Sequence, residues 1–190
     1  MTRALAARAR RALAAQALLA SILVAGIACS SPAAPPPERP RPEVPAGRIL
    51  SFSFETVDGK PLSTETVAGR FTVIGFIATY DIASQAEARF IGGLARHHAP
   101  RINAALLALE PRDNLPLVQA FAQGMGIELP VALADAATIA GEGPFAGLHH
   151  VPSVVLLDRQ GREVWRRVGL TDEATIELAL RAAEASSEPR

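Results

Sequence analysis

The sequence predicts an α/β domain, a mixed central β-sheet with helices on both faces. Three observations carry that expectation. Two continuous apolar runs, "FTVIGFIA" and "INAALLAL", have the length and branching of buried strands. Between them, residues 84–98 place Ala88, Ile91, Leu94 and Ala95 on one side of a helix. Near the end, "VPSVVLLD" and "REVWRRVG" flank Asp158-Arg159-Gln160-Gly161, a hairpin signal.

Taken in order, the chain opens with Arg3, Arg8, Arg10 and Arg11 and no acid, followed by the uncharged run "ALAAQALLASILVAGIA" and Cys29. A basic start, an apolar middle and small residues at the cut describe a secretory signal over residues 1–28. "AGIAC" resembles a bacterial lipobox, with Gly26 where leucine is usual; an ordinary secretory signal and an uncleaved anchor are the other readings. The lipobox makes Cys29 the lipidated first residue of the mature chain, held at a membrane surface. It also uses the only cysteine. Processing removes four arginines, leaving 15 basic against 19 acidic side chains, a net charge of −4. That balance offers no basic patch for nucleic acid.

Residues 29–47 form the lipidated cysteine and a linker, with seven of the chain's 15 prolines between residues 30 and 47. Such a segment favours extended polyproline geometry and acts as a semi-rigid spacer. A proline-recognising partner is the other use for it. The folded domain is expected over residues 48–190. Within it "ILSFSFETV" alternates as a half-buried strand, and Asp58-Gly59 marks a turn. Residues 115–125 read as a helix ending near Gly124 and Gly126, and residues 171–185 as a last amphipathic helix capped by Thr171 or Asp172.

The ordered set "VDGKPLSTETVAGRFTVIGFIATY", "ELPVALAD" and "HHVPSVVLLDRQGREVWRRVGL" resembles the thioredoxin-like redoxins. The resemblance is strongest to the membrane-tethered TlpA/ResA type, relatives of the AhpC/TSA peroxidases, and it covers nearly all of residues 48–185. It implies a thioredoxin-like fold and, by family membership alone, thiol–disulfide oxidoreductase activity. The family's Trp-Cys-x-x-Cys stands at the strand-to-helix junction, where the helix start lowers the thiol pKa. Here those five places read Tyr80, Asp81, Ile82, Ala83 and Ser84. A carboxylate cannot exchange disulfides, and an unactivated serine is a poor substitute. The substitutions argue against catalysis: no catalytic residue is expected at Asp81 or Ser84, no cofactor is called for, and both residues suit helix capping.

Pro152 matches the family's cis-proline, whose loop pairs with an extended peptide through main-chain hydrogen bonds. A peptide surface of Tyr80, Asp81, Val151 and Pro152 is therefore expected, with a segment of an envelope protein as partner; retention of Pro152 for the fold alone is the plainer reading. Tyr80 is expected to keep the family tryptophan's packing with its hydroxyl in solvent. His150 matches the copper-binding histidine of the related Sco-type copper chaperones, so His150, Asp81 and His149 form a candidate Zn or Cu(II) site. A Ser84–His150–Asp81 hydrolase can be drawn, without an oxyanion motif to support it. His97 and His98 are about 20 Å from the helix start at 1.5 Å per residue, and both are expected to be exposed. The resulting picture is a redox-inactive, lipid-anchored protein of the bacterial cell envelope, facing the periplasm or the exterior.

Overall fold

The computed structural model describes residue 47 and residues 49–187. The expected signal segment and Cys29 lie outside the described residues, as does most of the proline-rich linker. Among the described residues no helix is long and apolar enough to cross a membrane.

The chain first makes a short hairpin, β1 (Ser53–Glu55) and β2 (Pro61–Ser63), antiparallel around the Asp58-Gly59 turn. Only the middle of the expected 49–57 strand is ladder. Ser63 then caps a one-turn helix, α1 (Thr64–Val67), through a capping box with Thr66. Strand β3 (Phe71–Ile77) is buried at every position, as its continuous apolar run requires. Helix α2 (Ile82–His98) follows, with Arg96, His97 and His98 in its last turn, where cations complement the dipole. Pro100 stands just beyond its end.

Strand β4 (Ile102–Ala108) lies parallel to β3, helix α3 (Leu115–Gly124) crosses over, and β5 (Val131–Leu133) lies parallel to β4. After a one-turn helix α4 (Ala136–Ile139), β6 (Ser153–Leu157) and β7 (Glu163–Val168) add as an antiparallel hairpin, with a bulge near Leu156 and Leu157. The order is β5-β4-β3-β6-β7, so β3 is central and β7 is an edge. Helix α5 (Glu173–Ser187) ends the described chain, and Asp172 caps it by accepting the Thr175 N–H at 2.8 Å.

Side chains alternate across the sheet and build two cores. Val73, Ile77, Val154 and Leu156 face the long helices, meeting Ile91 and Leu94 of α2, Val118 of α3, and Ile176 and Leu180 of α5. Ile74, Phe76, Val155 and Leu157 face the hairpin, α1 and the 145–148 segment. There Phe145 packs on Phe52, Phe54 and Phe76 at ring separations of 5.1–6.3 Å. The long helices thus share one face, and the hairpin with two one-turn helices covers the other. Gly75 lets α2 sit close on the sheet, since a Cβ there would collide with Ile91.

Candidate functional site

The site is assembled where β3 stops. The Asp81 N–H donates to the Ala78 carbonyl at 3.2 Å, folding residues 78–81 into a turn. Asp81 is the N-cap of α2: its Oδ2 accepts the Ser84 N–H at 2.7 Å and the Ser84 hydroxyl at 2.7 Å. Ser84 is fully buried, and its Oγ in turn accepts the Ala78 N–H at 3.1 Å. The two positions that carry cysteines in the redoxins are thus closed on each other and on the preceding strand. The hydroxyl hydrogen points at a capping carboxylate, so Ser84 is placed to hold the turn.

A buried acid braces the same turn from the neighbouring strand. Glu110, just after β4, accepts the Thr79 N–H through Oε1 at 2.6 Å and the Asn114 amide through Oε2 at 2.8 Å. One turn along α2, Glu87 is fully buried and accepts the Thr171 N–H at 2.7 Å, tying α2 to the segment entering α5. Among the described residues its Oε1 has no hydrogen-bond partner. Burial pushes the Glu87 carboxyl up to about 7, against the Thr171 bond and the Arg167 charge that draw it down. Neither acid stands out in a motif search. Glu87 does sit on the apolar stripe with Ser84, Ala88 and Ile91, and an acid there is the one available signal.

On the other side of β3, Phe76 pairs with Ser153 in β6. Continuing that antiparallel register sets Val151 level with Ala78. The Val151–Pro152 peptide is cis, Pro152 is buried, and its carbonyl accepts the Gly169 N–H at 2.8 Å. The main-chain groups of Val151 enter no hydrogen bond among the described residues. Tyr80 is 78% exposed and Ile82 81% exposed. The expected packing of Tyr80 is therefore corrected: it follows the end of the strand, in the turn, and its ring stands in solvent.

The histidines separate. His149 and His150 are exposed with rings 4.1 Å apart, and the His150 carbonyl accepts the Ser153 hydroxyl at 2.7 Å. Among the described residues no three His, Cys, Asp or Glu come together as a metal-holding group. His97 is exposed and pairs with Glu173 at 2.7 Å. His98 is buried, a correction to the expectation that both are exposed. The helix turns it inward, where Arg101 meets its Nδ1 at 2.7 Å and Glu177 lies 3.6 Å from its Nε2.

A cavity of about 700 Å³ lies away from this region, lined by Phe54, Glu55, Lys60, Arg112, Leu133 and Asp135 among others. Its charged groups are already matched: Glu55 with Arg112 at 2.6 Å, Lys60 with Asp58 at 3.2 Å, and Asp135 with the Thr138 N–H at 2.8 Å.

The central strand, the helix starting beside a cis-proline loop and the closing hairpin define a thioredoxin-like fold, here without the paired thiols. Solved structures bear this out. A thiol:disulfide interchange protein of the thioredoxin family from Chlorobium tepidum TLS superposes with a TM-score of 0.61 at 24% identity, covering 71% of this chain and 94% of its own. A DsbF homologue from Corynebacterium diphtheriae gives 0.63 at 13% identity, with coverages of 72% and 86%. The exposed lipoprotein thioredoxin Etrx1 from Streptococcus pneumoniae gives 0.59 at 16%, with coverages of 70% and 98%. Identities this low establish the fold alone. No protein-family model matches the chain, and no curated protein matches it.

Proposed function

We propose that this protein is a cell-envelope lipoprotein, anchored through Cys29, whose redox-inactive thioredoxin-like domain binds an extended segment of another envelope protein. The observation that carries the reading is the unengaged main chain of Val151, lying level with the turn that presents Tyr80 and Ile82. An extended peptide beside a free strand-like residue gains affinity from main-chain hydrogen bonds, and exposed apolar side chains supply pockets or anchors for its own. Meanwhile Asp81 and Ser84 are consumed by each other, which leaves the surface intact and the chemistry absent. Among known structures, the lipoprotein thioredoxin of S. pneumoniae pairs such a fold with a lipoprotein identity, which supports the envelope placement.

Capture from detergent-solubilised envelopes tests it. The wild-type protein is expected to retain a discrete partner that the Tyr80→Asp/Ile82→Asp variant loses by tenfold or more, the effect of losing about 1.4 kcal/mol or more of binding energy. Equal recovery with both proteins would remove the surface from consideration.

A further inference from the structure

The end of the sheet opposite the candidate site carries a row of arginines. Continuing the register of β3 with β4 sets Arg70 level with Arg101, and continuing that of β3 with β6 sets Arg70 level with Arg159. The Gly69 N–H donates to the Arg159 carbonyl at 2.9 Å, which closes those two segments on each other. At the usual strand spacing the three residues follow one another about 5 Å apart. All three are exposed, and none forms an ion pair among the described residues. Arg101 meets the ring of His98, and Arg159 lies over the ring of Phe71 at 5.3 Å. The acids beside them along the chain are taken. Asp158 accepts the Gln160 and Arg162 N–H groups at 2.8 Å within its own hairpin, and Glu65 bonds to Ser63.

This row runs against the rest of the domain, in which acids outnumber lysines and arginines between residues 49 and 187. The site end is acidic, with Asp81 after β3, Glu110 and Asp113 after β4, and Asp135 after β5. Cations at that end face acids: Arg112 pairs with Glu55 at 2.6 Å, and Arg167 lies within electrostatic reach of Asp172 and Glu87. Charge is thus divided along the strand direction. The chain also enters the domain at the arginine end. There the Leu50 N–H donates to the Gly161 carbonyl at 2.9 Å, and Ile49, 52% exposed, bridges Arg162.

We propose that Arg70, Arg101 and Arg159 seat the domain on the anionic phospholipid headgroups of the membrane that holds the Cys29 anchor, with Tyr80, Ile82 and Val151 turned away from it. The inference rests on the anchored reading above. Two observations select lipid over an acidic protein. The row stands at the end where the tethered part of the chain meets the domain, and exposed Ile49 adds an apolar contact suited to the headgroup boundary. An anionic leaflet raises the partition of a surface arginine roughly fivefold, on the order of a hundredfold for three, within a screening distance of about 8 Å. The same field repels the acidic end. Strand β3 spans about 23 Å, which sets the height of the candidate site above the headgroups.

Modification of arginines by phenylglyoxal, located by mass spectrometry, reads the seating. The full lipidated protein is placed in vesicles of phosphatidylcholine alone or mixed with phosphatidylglycerol. At low salt the mixed vesicles are expected to slow modification of Arg70, Arg101 and Arg159 fivefold or more, and high salt to abolish the difference. Arg112, exposed at the site end, should react equally in both. In the Arg70→Gln/Arg159→Gln variant the protection of Arg101 should be lost, with an unchanged far-UV circular dichroism spectrum excluding unfolding. Equal reactivity of the row in both kinds of vesicle would overturn the proposal. So would protection by soluble polyglutamate but not by vesicles, which would assign the row to an acidic protein. Flotation with phosphatidylcholine vesicles checks the anchor separately. A protein that fails to float there lacks the anchor, and failure to float with the mixed vesicles at low salt as well would remove the row too.

Discussion

Glu87 makes the folded protein sensitive to pH in a direction opposite to most carboxylates. Its carboxyl ordinarily titrates near 4.5 and in the fold near 7. The stability it contributes is complete below pH 4.5, declines as pH rises through that window, and is gone above 7. At 1.36 kcal/mol per pH unit the loss amounts to about 3 kcal/mol. Glu87→Gln keeps an acceptor for the Thr171 N–H and cannot ionise. Urea denaturation should find the variant close to wild type at pH 4.5 and more stable at pH 8. Parallel pH profiles for the two proteins would contradict this assignment. Glu87 was not singled out in the sequence, because the group it holds, the Thr171 N–H, is 84 residues away. His98 escaped for a related reason: neighbours on α5, remote in sequence, decide which of two adjacent histidines turns inward.

Between β3 and α2, the four-residue turn is held by groups from three directions: its own helix cap, the Ser84 hydroxyl and Glu110. Glu110→Ala removes a charge-assisted bond to Thr79 and the bond to Asn114, and should cost about 2 kcal/mol. Native-state hydrogen exchange should show the Thr79 amide exchanging much faster, with the centre of β3 affected less. An unaltered Thr79 rate would mean that the cap alone holds the turn. Long elements were legible here because apolar period and length agree: β3, β4, β6, β7 and α2 fall within a few residues of expectation. The three-residue β2, beginning with Pro61, and the one-turn helices α1 and α4 carry too few residues to set a period. Asp81 as helix cap was readable from residue type, whereas the solvent exposure of Tyr80 depended on where the strand ended.

For the molecule as a whole, the fold of disulfide exchangers persists around a site that holds no sulfur. The chain's one cysteine precedes the domain, at position 29. The full protein should therefore fail to reduce insulin above the background rate of dithiothreitol, and measurable turnover would defeat the redox-inactive reading. The mutual closure of Asp81 and Ser84 has a further consequence, for the introduction of cysteines by mutation. A cysteine at 84 alone would replace the hydroxyl that bonds both Asp81 and the Ala78 N–H by a larger, weaker donor and acceptor. A cysteine at 81 alone would strip the cap from α2 and leave Ser84 without its acceptor. Neither single change yields a dithiol, and each weakens the helix start. The two positions are epistatic, and any stepwise route to a dithiol here passes through less stable single variants that carry only one thiol in the site.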